Sequence, residues 1–259
     1  MTPSPPSVDD GPEMFVRFGY PPNALGYCGP SDATVVADLI TSGTSEAGAE
    51  LRHLIEAFLG AWPYLELIAQ RAKLSPLDYS VVEAYWLGNP LIESVDPLTW
   101  GNSLDERFRQ RAGWDWENVV AALNDGGVPN HAFHVFCVYP WVGLLHSGTS
   151  DAALEVLDQC RIRWGRVVDS SNGKVLVESR PLRWDGATLD LGDTRIESAD
   201  APIAPKVDAI HPGDDVAMHW NFVCQTLTGR QLRALQVNHD RHLALVNGAS
   251  RQLGRRIDG

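Results

Sequence analysis

The chain changes its hydrophobic period once, and that change limits what it can fold into. Up to about residue 157, apolar side chains recur at spacings of three and four, as on the buried face of helices. Beyond it they fall in short runs broken by turns, as in strands. The joint is Asp158–Val168, Asp-Gln-Cys-Arg-Ile-Arg-Trp-Gly-Arg-Val-Val, which carries Cys160 and reads as the start of the first strand. The expected class is therefore α+β: an N-terminal all-α domain, a small β-barrel and a C-terminal helix. The boundaries are a disordered leader over 1–12, a helical domain over 13–157, the barrel over 158–226, a closing helix over 227–248 and a flexible tail over 249–259.

Within the helical part, Leu51, Leu54, Ile55, Phe58, Leu59, Trp62, Leu65 and Ile68 make one long pattern over 45–73, with a kink or break at Pro63. Ser75-Pro76 reads as a cap with proline at the first helical position, opening a helix through Trp86. Residues 14–30, aromatic and rich in Pro and Gly, read as an ordered loop, and Ser31 as the cap of a helix to about Ile40. Helices are expected over 103–112, 115–124, 150–158 and the apolar stretch 130–146, the last interrupted near Pro140. In the β section, strands are expected over 162–169, 174–179, 182–184 and 188–191, with turns at 170–173 and 185–186. A Pro-rich loop over 199–205 follows. His211-Pro-Gly-Asp then enters a strand over 216–224, and Thr228 caps a helix over 229–247.

Charge excludes one class of partner. Net charge is −12, but residues 1–157 hold 20 acidic and 7 basic side chains, whereas 158–259 hold 13 and 14. An acidic surface repels phosphate backbones, so no nucleic acid is expected as a partner. No apolar run is long enough to span a membrane, and the N-terminus lacks the apolar core of a signal peptide. Four cysteines without a Cys-x-x-Cys spacing fit reduced thiols, and the expected location is the cytoplasm.

Two sets of residues could carry metal chemistry. The first is Cys160 with His219, a thiolate and an imidazole suited to iron or zinc. Arg161 and Arg163 flank the thiol and would favour its anionic form. The second is His131 and His134, an H-x-x-H pair sharing a helix face, with Cys28 of the Gly-Tyr-Cys-Gly-Pro loop as a third ligand. It would make the protein a metalloenzyme of unknown reaction. His239 and His242, also three apart, read as structural. A metalloprotease H-E-x-x-H, a nucleophile elbow and phosphate-binding loops are all missing, and no carboxylate pair stands out. No catalytic residue is assigned. A third reading is a non-catalytic protein-binding module.

Cys160-Arg-Ile-Arg-Trp-Gly-Arg-Val-Val resembles the opening of the HypC/HupF family of hydrogenase assembly chaperones, a cysteine leading into a first strand. Pro212-Gly-Asp-Asp-Val-Ala-Met-His219-Trp-Asn-Phe-Val is similar to that family's later strand, a Gly-Asp turn followed by an apolar strand and a histidine. The helix from Thr228 fits the family's C-terminal helix in order and position. The resemblance covers about residues 158–245. It implies a small OB-like barrel and an accessory role in [NiFe]-hydrogenase maturation. In that role iron is handled transiently through Cys160 and His219, and the partner is the hydrogenase large subunit or a maturation scaffold protein. Across its whole length the chain also resembles an uncharacterised bacterial family associated with hydrogenase gene clusters.

Overall fold

The computed structural model describes residues 10–42, 48–109, 116–146, 150–171, 173–202 and 209–257. The architecture is α+β: a helical region, a five-stranded mixed sheet and a C-terminal helix. The helices are α1 (Asp10–Ala24), α2 (Ala33–Ser42), α3 (Gly48–Glu56), α4 (Trp62–Ala72), α5 (Tyr79–Trp86), α6 (Pro97–Phe108), α7 (Trp116–Asn124), α8 (His131–Phe133, continuing as a π-helical turn over His134–Val138), α9 (Trp141–His146), α10 (Ser150–Cys160) and α11 (Gly229–Ile257). The strands are β1 (Arg163–Ser171), β2 (Lys174–Ser179), β3 (Leu182–Trp184), β4 (Leu189–Leu191), β5 (Arg195–Asp200), β6 (Asp215–His219) and β7 (Phe222–Thr226).

Residues 10–24 are helix, not the expected loop or leader. Pro21 and Pro22 fall in its last turn, where they cost hydrogen bonds without preventing the helix. Met14, Phe15 and Phe18 are fully buried along it, and that burial outweighs the proline signal. The leader over 1–9 lies outside the described residues.

The pattern over 45–73 is two helices. Ala57–Ala61 forms turns between them, and Pro63 sits in the first turn of α4, where its missing N–H costs nothing. α5 begins later than Ser75-Pro76 suggests, because Asp78 is the better cap and accepts from the Ser80 N–H. The helix expected from 103 begins at Pro97, capped by Asp96. α10 runs two residues further than expected, so Cys160 closes a helix and β1 starts at Arg163. The tail over 249–257 continues α11 as helix, since no proline follows Thr228 and Arg, Gln and Leu favour the conformation. Thr228 and Gln231 start this helix with a reciprocal capping box.

The sheet order is β1-β2-β5-β7-β6, and β1 also pairs antiparallel with β6. β5 and β7 meet through one parallel pair, Asp200 with Phe222. β3 and β4 form a separate two-stranded ladder. The strand expected over 216–224 is two strands, β6 and β7, joined by a tight turn at Trp220-Asn221.

Strand alternation then places the site. Val216 and Met218 of β6 join Val167, Val175, Val177, Ala199 and Val223 in a small core inside the sheet. Ala217, on the opposite face, joins the large core that the helices share, as do Trp220, Cys224 and Cys160. His219 therefore faces the helices. Among the described residues no helix is long and apolar enough to cross a membrane.

Candidate metal centre

Three elements converge behind that face. Asn130 caps α8 by accepting from the Phe133 N–H, which fixes His131 at the first helical position. Cys160 is held by the turn that follows it. There the Asp158 carboxylate accepts from Arg161 Nε at 3.0 Å and from the Leu182 N–H at 2.8 Å, tying the end of α10 to β3. His219 ends β6, and the next residue, Trp220, takes a left-handed φ of 53°. That turn is held by the Trp220 N–H donating to the Gln159 carbonyl, by Arg163 donating to the Trp220 carbonyl, and by Tyr27 stacking on the indole at 4.3 Å.

His131, Cys160 and His219 each offer one ligand atom, and these atoms lie within 4.8 Å of one another. All three residues are buried. Metal–nitrogen and metal–sulfur bonds of about 2.0–2.3 Å with tetrahedral angles need donor separations of roughly 3.3–3.8 Å. A contraction of about one ångström would close the triad on an ion.

The hydrogen bonds fix the tautomers. His219 Nδ1 lies 2.6 Å from the Phe18 carbonyl, which can only accept, so Nδ1 carries the proton. Its Nε2 is then a lone pair, buried beside the Cys160 carbonyl and without a hydrogen-bond partner among the described residues. That is the second-shell pattern of a ligating imidazole. The Phe18 carbonyl is available because the residues three and four places on are Pro21 and Pro22, neither of which has an N–H to offer it. In His131, Nε2–H donates to the Cys160 carbonyl at 2.8 Å, and Nδ1 accepts from the Tyr85 hydroxyl at 3.2 Å. An ion taking Nδ1 would displace that hydroxyl, which has the Gly60 carbonyl as a second acceptor at 3.4 Å.

Burial sets the electrostatics. It lowers the pKa of His131 to about 4 and holds His219 well below the ordinary imidazole value, so both are neutral imidazoles at pH 7. Burial, and then the neighbouring Cys28, raise the Cys160 thiol far above its usual range. The expectation that Arg161 and Arg163 make this thiol anionic is thus corrected. Arg161 is committed to Asp158 and the Arg180 carbonyl, and Arg163 to Glu197, Gln159 and Trp220. The thiol is therefore neutral at pH 7, and a metal ion bound here would have to displace its proton.

A cavity of about 110 Å³ adjoins the triad, walled by rings including Tyr85, Trp86 and Trp141, with no charged side chain among the described residues that line it. Cys28 and His134 line the same cavity. Both expected residue sets thus surround one space, and the converging donors come from both. Cys28 is half-buried, and burial pushes its thiol up to about 12. His134 hydrogen-bonds the Tyr64 hydroxyl through Nδ1 at 3.0 Å. All four cysteines are free.

A family model matches residues 7–253. The chain belongs to DUF6390, a family of unknown function. No curated protein matches the chain, and no solved structure does. The DUF6390 match runs through the helical region, the sheet and most of α11, so it contains every residue of the triad. The triad of this DUF6390 chain could hold a metal ion, and its soft thiolate with two imidazoles suits iron or zinc better than calcium or magnesium.

Proposed function

We propose that this protein is a metal-handling accessory factor in [NiFe]-hydrogenase assembly, and that His131, Cys160 and His219 hold its iron. The observation that carries the reading is the meeting of Cys160 with His219. The chaperone resemblance picks out these two residues from opposite ends of the sheet section, and their ligand atoms lie within 4.8 Å. The HypC-like barrel would be the sheet, and the helical region an added partner-binding surface that also contributes His131. Three protein ligands leave a coordination position open, as an ion that must be passed on requires.

The test is co-purification with a hydrogenase large subunit and its maturation scaffold, combined with metal analysis. The reading expects association with one of them, about one iron per chain after anaerobic loading, and loss of hydrogenase maturation with Cys160→Ala. Normal maturation in that variant, together with no association, would sink it.

The open position beside an apolar cavity also favours a second reading, a metalloenzyme of unknown reaction. It predicts that metal stays bound through repeated exposure to candidate apo-acceptors, whereas the assembly reading predicts transfer.

A further inference from the structure

The triad is buried, so an ion needs a path to it. The cavity beside the triad shares Tyr27, Cys28, Gly60, His134 and Tyr139 with a second cavity of about 270 Å³. That second cavity reaches the surface at Tyr27 and Leu59, which are 50% and 58% exposed. The shared wall is narrow at Gly60, where an added Cβ would lie 3.1 Å from His134 Nε2 and 3.4 Å from the Tyr139 hydroxyl.

His134 is unusual at this junction. It is 2% exposed, and its Nε2 is a buried atom with no hydrogen-bond partner. Leaving a buried polar atom unsatisfied is unfavourable, so such atoms are rare. The backbone around it is also irregular. The turn from His134 to Val138 is π-helical, closed by the Tyr139 N–H donating to the His134 carbonyl at 3.0 Å, and it sets the two rings 4.4 Å apart. Such turns recur at functional sites. When Nδ1–H donates to Tyr64, Nε2 presents a lone pair to the junction.

We propose that His134 is an outer, transient ligand for a divalent transition-metal ion, guarding the route from the surface cavity to the buried triad, with the Cys28 thiol beside it. This inference rests on the metal-site reading above. Among the described residues, an ion that leaves water at Leu59 and Tyr27 would meet no other imidazole before the Gly60 junction. His134 replaces part of its hydration shell, and the ion then passes to the lone pair of His219 Nε2.

A ligand used only in passage changes uptake and release by the same factor and leaves the equilibrium constant alone. The experiment mixes metal-free protein with cobalt(II), follows the ligand-field and thiolate absorption of the product, and then measures release to a chelator. In His134→Phe, which keeps the bulk, uptake and release should both slow about tenfold, with affinity within about twofold of wild type. Gly60→Ala, which removes no donor and places a methyl in the junction, should slow both as well. Unchanged rates in both variants would overturn the proposal. So would a loss of affinity in His134→Phe carried by faster release, since His134 would then be a resident ligand. Failure of the metal-site reading looks different: wild type itself would take up no cobalt, or Cys160→Ala would take it up unchanged.

Discussion

Two pairs of buried histidines sit three residues apart on helices, and they differ in what their nitrogens meet. On α11, His239 Nε2 accepts from Arg161, and Nδ1 donates to Asp240. His242 Nε2 accepts from the Val128 N–H, so Nδ1 carries the proton, and that N–H points toward the Asn238 carbonyl one turn back with no hydrogen-bond partner among the described residues. Neither lines the cavity. Around the cavity, His134 and His219 each keep one unpartnered nitrogen, and His131 holds a hydroxyl that has another acceptor within reach. Burial is common to both pairs and so says little about function. The distinguishing feature is the kind of group left over: an N–H at His242, a lone pair at His219.

The largest expected effect falls on the α11 side. Arg161 and Asp158 form a buried ion pair that also anchors Leu182 and His239. Arg161→Ala leaves the buried carboxylate with the Leu182 N–H and only the more distant, half-exposed Arg195 at 3.7 Å, and should cost about 3 kcal/mol in chemical denaturation. It should do so in the presence or absence of metal. On the cavity side, Cys160→Ala or His219→Ala should weaken metal binding at least about 100-fold by titration calorimetry. His239→Ala should leave that affinity within a few-fold of wild type. Equal losses in the two groups would erase the contrast between the pairs.

Acid should destabilise the α11 pair. Burial, the main cause, lowers the His242 pKa to about 3, while the unfolded chain titrates near the ordinary value of 6.5. Above 6.5 neither state binds the proton and the full stability is present. As pH falls below 6.5 only the unfolded state takes it up, so stability declines by about 1.4 kcal/mol per pH unit for this group until the folded pKa is reached. Urea midpoints between pH 7 and pH 4 should fall less steeply in His242→Gln. A parallel pair of curves would mean that His242 does not titrate in this way.

The smallest effect is expected at Pro22→Ala. The new N–H can reclaim the Phe18 carbonyl for the helix and release His219 Nδ1. Metal affinity should fall by up to about tenfold while the melting temperature holds or rises.

Much of this architecture was legible in the sequence, and the misses have local causes. The shift from helix to strand period and the turns at 170–173 and 185–186 carry strong side-chain signals. β5 does not. Its Arg-Ile-Glu-Ser-Ala-Asp buries only Ala199 and leaves Ile196 61% exposed, so no alternation shows. The hairpin between β6 and β7 was hidden because a tryptophan occupies the left-handed position where Gly or Asn usually announces a turn. Its conformation is secured by Gln159, Arg163 and Tyr27, which no local window contains. For the site, the residues were legible but the grouping was not. Cys160 with His219, and Cys28 with His131 and His134, stood as separate readings, since only tertiary packing brings α8, α10 and β6 to one cavity. The Pro21-Pro22 pair was read as a loop marker, although apolar residues at positions 14, 15, 16 and 18 already suited a helix.

That pair changes what should count as the ligand set. Pro22 donates nothing and touches no ion, yet a hydrogen atom it lacks decides which nitrogen of His219 is basic. A search of DUF6390 members for this centre should therefore score four positions: 131, 160 and 219 for what they supply, and 22 for what it withholds. A member that keeps the three donors but carries an ordinary amide at 22 would have the inventory of the site without its preset tautomer.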